Sequence, residues 1–154
     1  MTTDHKIALG VGLVALAIGV PYLLQIKRLA QEIETVTKVN IHKINLAGIE
    51  LRVDVTMKNP TGGSVKIKFP FVKMLYKDIL IATSEVKDQD YSILKFGQKQ
   101  LDPIFVSLPF MQLASSAPEM LKQYRKSGKL ELEVKTISTI NNKIPYSKTD
   151  LVSI

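Results

Sequence analysis

Residues 49–60 have the sequence Ile-Glu-Leu-Arg-Val-Asp-Val-Thr-Met-Lys-Asn-Pro. Every odd-numbered position from Ile49 to Met57 is apolar, and every even-numbered position between them is polar. Because side chains alternate between the two faces of a strand, this pattern predicts one buried face and one solvent-exposed face. Asn59-Pro60 ends the strand, since proline has no N–H for a β-ladder, and Gly62-Gly63 permits a chain reversal. We therefore expect the central strand of an antiparallel sheet here.

Short strand patterns recur on both sides of this segment. The apolar alternation changes phase near His42-Lys43, which predicts a β-bulge before the turn at Ala47-Gly48. Later segments, among them Tyr91–Phe96, alternate in the same way and are bounded by Gly or Pro. Ser116 and Glu119 match a helix capping box, so one short helix is predicted there. The pattern as a whole predicts a mainly β protein with an antiparallel β-sandwich fold.

The N-terminal part of the chain differs in composition. Residues 7–26 carry no formal charge and are bracketed by Lys6 and by Lys27-Arg28. As a helix, this segment would be about 30 Å long, which matches the hydrocarbon core of a bilayer. A cleaved signal peptide is the alternative, but its apolar region would be shorter and followed by a small-residue cleavage site. We predict a single transmembrane anchor over residues 1–28, a stalk over 29–38 and a β-sandwich domain over 39–154.

Small residues recur at helical spacing within the anchor, at Ala8, Gly12, Ala15 and Gly19. They would share one helix face, where another helix can approach closely, although Gly and Ala are also simply common in membrane helices. Three basic residues, Lys27, Arg28 and Lys38, follow the segment, and only Lys6 precedes it. The positive-inside rule therefore favours a sandwich on the cytoplasmic or interior side of a single-pass membrane protein.

Composition argues against several classes of function. The chain has no cysteine, which excludes disulfides, thiolate catalysis and zinc sites with cysteine ligands. Its two histidines, His5 and His42, fall before the anchor and within a predicted strand, so they form no pair for metal or triad chemistry. The net charge of +7 comes without an arginine-rich run or an aromatic platform, which argues against specific nucleic-acid binding. We expect no enzymatic activity and no cofactor or metal site.

Several of these segments together resemble the WHy (water stress and hypersensitive response) domain of group-two late-embryogenesis-abundant proteins. The resemblance rests on Val53-x-Val55 followed by Asn59-Pro60, on residues 79–84, and on Ile104–Leu108 followed by a helix and residues 130–134. It covers roughly residues 36–145, and residues 61–63 depart from the aromatic residue or Asn that the family often places after the proline. The resemblance implies a small fibronectin-like or immunoglobulin-like sandwich, often tethered to a membrane, with no catalytic residues.

Four lysines are predicted to form a basic face: Lys66, Lys68, Lys73 and Lys77. In the sequence, Asp78 is the only acidic residue between Lys66 and Ile81. Such a face would suit anionic lipid head groups or an acidic partner. The alternative is a solvated edge whose lysines discourage sheet-to-sheet aggregation.

The sequence leaves three classes of function open. The first, and our prediction, is a non-enzymatic membrane-anchored β-sandwich that is a structural or interaction component of a larger assembly. An envelope complex or a membrane-containing virus particle would be such an assembly, with protein partners or a homo-oligomer beside the lipid bilayer. The second class is a lipid- or ligand-binding module. The third is the stress-protective role that the resemblance to late-embryogenesis-abundant proteins implies.

Overall fold

The computed structural model of the protein describes residues 28–154. Residues 28–32 are helical, and the strands that follow are β1 (Glu34–Ile44), β2 (Gly48–Lys58), β3 (Val65–Lys68), β4 (Phe71–Tyr76), β5 (Ile79–Thr83), β6 (Asp90–Ile93), β7 (Gln98–Gln100), β8 (Ile104–Pro109), β9 (Glu131–Ile140) and β10 (Ile144–Ser153). Two helices, α1 (Phe110–Ser116) and α2 (Pro118–Ser127), lie between β8 and β9.

Strand β2 is central to the first sheet, as the alternation in residues 49–60 predicts. Its fully buried side chains are Leu51, Val53, Val55 and Met57. β1 pairs with one edge of β2, and β8 and β7 pair in turn with the other edge, all antiparallel. The predicted bulge is confirmed, because the β1–β2 register shifts between Ile41 and Lys43 and leaves His42 as the extra residue.

The second sheet is built around β9. β10 pairs with one edge of β9 along its whole length, while β4 and β3 pair with successive parts of the other edge. β5 extends the sheet beyond β4, and β6 extends it beyond β3. Phe69 and Pro70 separate β3 from β4, because Pro70 has no N–H to donate to a ladder.

The core lies between the two sheets. Burial alternates along the strands of both sheets, as β2 and β9 illustrate, and the inward side chains form one hydrophobic cluster. Leu51 and Val106 from the first sheet belong to this cluster, as do Val72 and Leu132 from the second. The predicted mainly β, antiparallel sandwich is therefore confirmed.

The structure has two short helices after β8 where the sequence predicts one. The predicted capping box is wrong, because Ala117 rather than Ser116 precedes α2 and no side chain caps its N-terminus. The Ser116 hydroxyl instead donates to the Gln112 carbonyl at 2.7 Å. Pro118 explains the break between the helices, since a proline disfavours helical backbone at the residue before it, and Ala117 has φ −144° and ψ 57°.

The predicted transmembrane helix, with its packing face at Ala8, Gly12, Ala15 and Gly19, lies outside the described residues. No helix within residues 28–154 is long and apolar enough to cross a bilayer. β1 begins at Glu34, within the range 29–38 that the sequence assigns to a stalk, because residues from Glu34 onward pair with β2.

Candidate functional site

Asn59 follows β2, is only 1% exposed and joins two loops to the end of that strand. Its Nδ2 donates to the carbonyl oxygens of Gly63 at 2.7 Å and Leu94 at 3.1 Å. Its Oδ1 accepts from the backbone N–H of Thr61 at 3.1 Å and from the Thr61 hydroxyl at 2.6 Å. The Asn59 N–H donates to the Gly97 carbonyl at 2.8 Å. One side chain therefore fixes the β2–β3 loop and the β6–β7 turn beside each other.

Four parts of the chain meet here, at what we call the N-terminal end of the sandwich. They are the start of β1, the β2–β3 loop (residues 59–64), the β6–β7 turn (residues 94–97) and the β9–β10 turn (residues 141–143). Glu34 at the start of β1 pairs with Lys58 at the end of β2, immediately before Asn59. The N-terminal segment of the chain is therefore connected to the sandwich beside these loops.

Residues 28–33 are packed against the sandwich. Ile33 is buried at 4% exposure, and Leu29 and Ala30 are partly buried against the same core cluster. The Ile33 N–H donates to the Leu29 carbonyl at 3.3 Å, and β1 begins at the next residue. These apolar contacts hold the helical residues 28–32 on the domain itself.

A group of polar side chains closes the sandwich between β1 of the first sheet and β10 of the second. The buried Thr35 and Tyr146 share a hydrogen bond between their hydroxyls, and Lys148 Nζ donates to the Thr35 carbonyl. The Thr37 hydroxyl donates to Asp150 at 2.9 Å. Burial raises the pKa of Tyr146, while the Thr35 hydrogen bond opposes this rise. Because buried polar groups need their partners, these contacts tie the start of β1, in the first sheet, to β10 of the second.

The β6–β7 turn presents two large apolar side chains to solvent, since Leu94 is 70% exposed and Phe96 is 73% exposed. The Gly97 N–H donates to the Leu94 carbonyl at 3.0 Å, and Phe96 has a left-handed backbone with φ 54°. The sequence predicts a strand over Tyr91–Phe96, but β6 ends at Ile93 because the chain reverses here into β7. Gly97 is the one signal in the sequence for this turn.

Lys95 lies within this turn, and Lys58 and Lys99 lie beside it. Lys58 pairs with Gln98 of β7, and Lys99 Nζ lies 5.3 Å from the centre of the Tyr91 ring. Among the ion pairs within residues 28–154, none involves these three ammonium groups. The N-terminal end therefore combines exposed apolar side chains with three lysines that take part in no ion pair within the described residues.

The predicted basic face has carboxylates beside it that the sequence order does not reveal. Lys66 Nζ lies 2.7 Å from Asp90, and Lys68 Nζ lies 3.0 Å from Asp88. The hydrogen bond with Asp88 raises the pKa of Lys68. β6 pairs with β3 and brings these aspartates alongside, although each is twenty or more residues from its lysine in the sequence.

The other two lysines of this predicted face lie farther along the same edge of β9. Lys73 pairs with Lys135 across the sheet, and its Nζ lies 5.9 Å from the centre of the Phe71 ring. Lys77, in the β4–β5 turn, lies 3.7 Å from Glu119 of α2. Lys66, Lys68 and Lys73 lie on strands of the second sheet and Lys77 lies in a turn beside it, and three of the four have an acidic neighbour. Binding of an anionic partner to this face stays a prediction.

Two concave regions lie elsewhere on the surface. A groove of about 830 Å³ lies at the far end of the sandwich, between the β1–β2 turn and the two helices, and is lined by Leu46, Phe110, Met111, Leu121 and Tyr124. A cleft of about 300 Å³ has Glu50, Glu85 and Lys87 among its lining residues. No group of three His, Asp or Glu side chains in residues 28–154 is arranged to hold a metal ion.

Comparison with known proteins gives structural likenesses only. No protein-family model matches the chain. No curated protein matches it either. Among solved structures, a protein from Archaeoglobus fulgidus is similar with a TM-score of 0.52 and 10% sequence identity, over 79% of this chain and 95% of that chain.

Two further solved structures have looser similarity. A protein from Arabidopsis thaliana has a TM-score of 0.49 and 15% identity, over 78% of each chain. A candidate late-embryogenesis-abundant protein also has a TM-score of 0.49, with 14% identity over 98% of this chain and 85% of that chain. A structural likeness at only 10% sequence identity shows the fold alone. The chain therefore has an antiparallel two-sheet fold similar to that of the Archaeoglobus fulgidus protein.

Proposed function

We propose that the protein is a non-enzymatic, single-pass membrane protein whose β-sandwich is a structural or interaction component of a larger assembly. In this proposal residues 7–26 cross the bilayer, and the sandwich lies directly at the membrane surface. The resemblance to the WHy domain supports it, because that resemblance implies a sandwich that is often membrane-tethered and has no catalytic residues.

The observation that carries this proposal is the packing of residues 28–33 on the core. The uncharged segment ends at Ile26, two residues before the helical residues 28–32 begin in the described structure. Because Leu29, Ala30 and Ile33 pack against the core, residues 28–33 form no flexible polar linker between the segment and the sandwich. Domains that move independently are usually joined by exposed flexible linkers, so this junction suits a domain held at the membrane.

The exposed apolar groove at the far end supports the assembly part of the proposal. Leu46 is fully exposed and Met111 is 86% exposed, and both line the groove beside Arg125. Contiguous exposed apolar surface with a polar rim is typical of protein interaction sites. The groove lies opposite the N-terminal end, where a partner could reach it without meeting the bilayer.

Fractionation of the full chain tests the membrane part of the proposal. We expect the protein to stay with membranes after an alkaline carbonate wash and to require detergent for release. The matched control carries Leu13→Lys and Leu16→Lys, since each lysine at the centre of a membrane helix costs about 3 kcal/mol of insertion free energy. If the unaltered chain is recovered in the supernatant without detergent, the anchor is wrong.

The assembly part has a separate test in the mass of the detergent-solubilised particle. We expect the protein released gently from its native membrane to be larger than one chain in its detergent micelle. Met111→Glu should reduce that mass, because it places a charge in the groove. A monomer in both preparations would contradict the assembly and leave the anchor in place.

A ligand-binding module is the second candidate, and the volume and apolar lining of the same groove favour it. Ligand sites are usually concave, mostly apolar and a few hundred Å³ or more in volume. Native mass spectrometry of the detergent-released protein separates the two candidates. A bound small molecule that Met111→Glu removes would favour ligand binding over protein assembly.

A further inference from the structure

We propose that the β6–β7 turn docks on the surface of the same bilayer, with Leu94 and Phe96 inserted among the lipid head groups. Lys58, Lys95 and Lys99 bind anionic head groups around it. This inference rests on the proposed membrane anchor, and it names a second point at which the sandwich contacts lipid.

The position of the turn supports this contact. Glu34 lies opposite Lys58, and Lys58 lies opposite Gln98, so the turn is two strand spacings from the start of β1, or roughly 10 Å. The helical residues 28–32 add roughly 8 Å along a helix axis. The exposed apolar turn thus lies within about 20 Å of Arg28, the first described residue. The groove at the far end is separated from it by the length of β2, roughly 35 Å.

Fold stability gives no reason for a phenylalanine at position 96. A left-handed backbone with φ 54° favours glycine or asparagine and is rare for a bulky residue. The Phe96 ring reaches toward Gly62, where an added Cβ would lie 3.7 Å from Cζ, but the residue remains 73% exposed. A large apolar side chain kept in a strained, exposed position is explained if it is buried in something else.

Charge at this end favours an anionic lipid surface. Lys95 and Lys99 take part in no ion pair within the described residues, and neither does Lys58, which lies opposite Glu34 of β1. Lys66 and Lys68, by contrast, are paired with Asp90 and Asp88. Amphipathic helices that lie in the membrane interface combine Leu or Phe side chains with lysines, and this turn presents the same two kinds of side chain. The apolar groups enter the acyl boundary while the ammonium groups stay among the head groups.

Single-tryptophan fluorescence tests the contact, because the chain contains no tryptophan. Phe96→Trp is made in the full chain and reconstituted into phosphatidylcholine–phosphatidylglycerol vesicles with brominated acyl chains. Met111→Trp is the matched control, because Met111 lies at the far end of the sandwich and is 86% exposed. We expect the fluorescence of Phe96→Trp to be quenched several-fold more than that of Met111→Trp, with emission shifted to shorter wavelength.

Leu94→Trp is a second reporter in case Phe96→Trp fails to fold, which a thermal melt would reveal. Equal quenching of the turn and far-end tryptophans would overturn the inference. If the chain floats with the vesicles but its turn tryptophan is unquenched, the docking fails and the anchor stands. If the chain does not float with the vesicles at all, both proposals fail.

Discussion

Asn59 shows how one amide positions the loops at the N-terminal end. A buried side-chain amide has two N–H donors and an acceptor oxygen, and all of them need partners when water is excluded. Asn59 meets this demand with carbonyls of Gly63 and Leu94 and with two donors from Thr61. Aspartate could not replace it, because a carboxylate donates to neither carbonyl.

We expect Asn59→Ala to lower the free energy of unfolding by about 2 kcal/mol, since it leaves buried N–H and carbonyl groups unpaired. Asn40→Ala, at an exposed position of β1, is the matched control and should change stability by less than about 0.5 kcal/mol. Urea denaturation of both variants measures the difference. Equal midpoints would contradict the role of Asn59.

Tyr146 makes stability depend on alkaline pH. Burial raises its pKa above the 10.0 of an ordinary tyrosine, so the folded state holds the phenol proton more tightly than the unfolded state. This contribution is fully present below pH 10 and is lost as the pH rises through the raised pKa of the folded state. We expect wild-type stability to fall in that window, and to fall less steeply in Tyr146→Phe.

Denaturation midpoints at neutral and alkaline pH measure this effect. Asn40→Ala, which removes no titratable group and lies at an exposed position of β1, is the control and should keep the wild-type pH dependence. Burial also raises the pKa of Tyr91, so part of the loss of stability at alkaline pH should remain in every variant. If stability falls with pH equally steeply in Tyr146→Phe and in wild type, Tyr146 is not a source of the alkaline loss of stability.

At the opposite end of the sandwich, β1, β2 and β8 meet where the backbone of Gly48 lies against that of Leu108 and Pro109. A Cβ on Gly48 would collide with the Leu108 carbonyl oxygen and would come within 2.8 Å of the Pro109 Cα. The Phe110 N–H also donates to the Ala47 carbonyl at 2.9 Å, so α1 begins from this contact. Gly48 is therefore required for the close approach of two strands, in addition to forming a turn.

We expect Gly48→Ala to destabilise the fold by about 2 kcal/mol or more, because both obstructing groups are backbone and cannot rotate away. Gly63→Ala is the matched control, since nothing lies within 4 Å of its added Cβ. Thermal unfolding of the two variants provides the comparison. If Gly48→Ala and Gly63→Ala unfold at the same temperature, β2 and β8 are farther apart than the structure has them.

At the scale of the whole molecule, attraction to an anionic surface depends more on where the charged side chains lie than on the net charge. The net charge of +7 is a property of the full chain, but ion pairs within residues 28–154 neutralise some lysines and not others. They take up Lys66, Lys68 and Lys77 on the second sheet, whereas Lys58, Lys95 and Lys99 at the N-terminal end take part in none. The docking proposed above attributes attraction to an anionic surface to these three lysines.

Two triple variants with the same change in net charge test this arrangement in the Phe96→Trp background. Changing Lys58, Lys95 and Lys99 to Gln should reduce quenching of the turn tryptophan by brominated lipid. Changing Lys66, Lys68 and Lys77 to Gln should leave it nearly unaltered. Salt should weaken quenching in the parent, since the Debye length falls from about 10 Å at 0.1 M to about 3 Å at 1 M. If both triples behave alike, only the net charge matters.

Local sequence was sufficient for the strands that alternate strictly. Residues 49–58 place an apolar side chain at every second position, and a period of two is compatible with a half-buried strand and not with a helix. The phase change at His42 likewise predicted a bulge, because one extra residue keeps Ile41 and Ile44 on the same face of β1, opposite Leu51 and Ile49. The uncharged segment 7–26 similarly predicts a membrane anchor, and this stays a prediction.

Tertiary structure decided which separate segments meet. Asp88 and Asp90 neutralise Lys66 and Lys68 because β6 pairs with β3, a long-range contact that spacing along the chain does not encode. The docking of residues 28–33 and the exposure of Phe96 likewise depend on packing between distant strands. Periodicity reports which face of an element is buried, whereas pairing order sets its neighbours. The sequence therefore determined the β-sandwich, and only the tertiary structure placed Lys58, Lys95 and Lys99 around an exposed apolar turn at its N-terminal end.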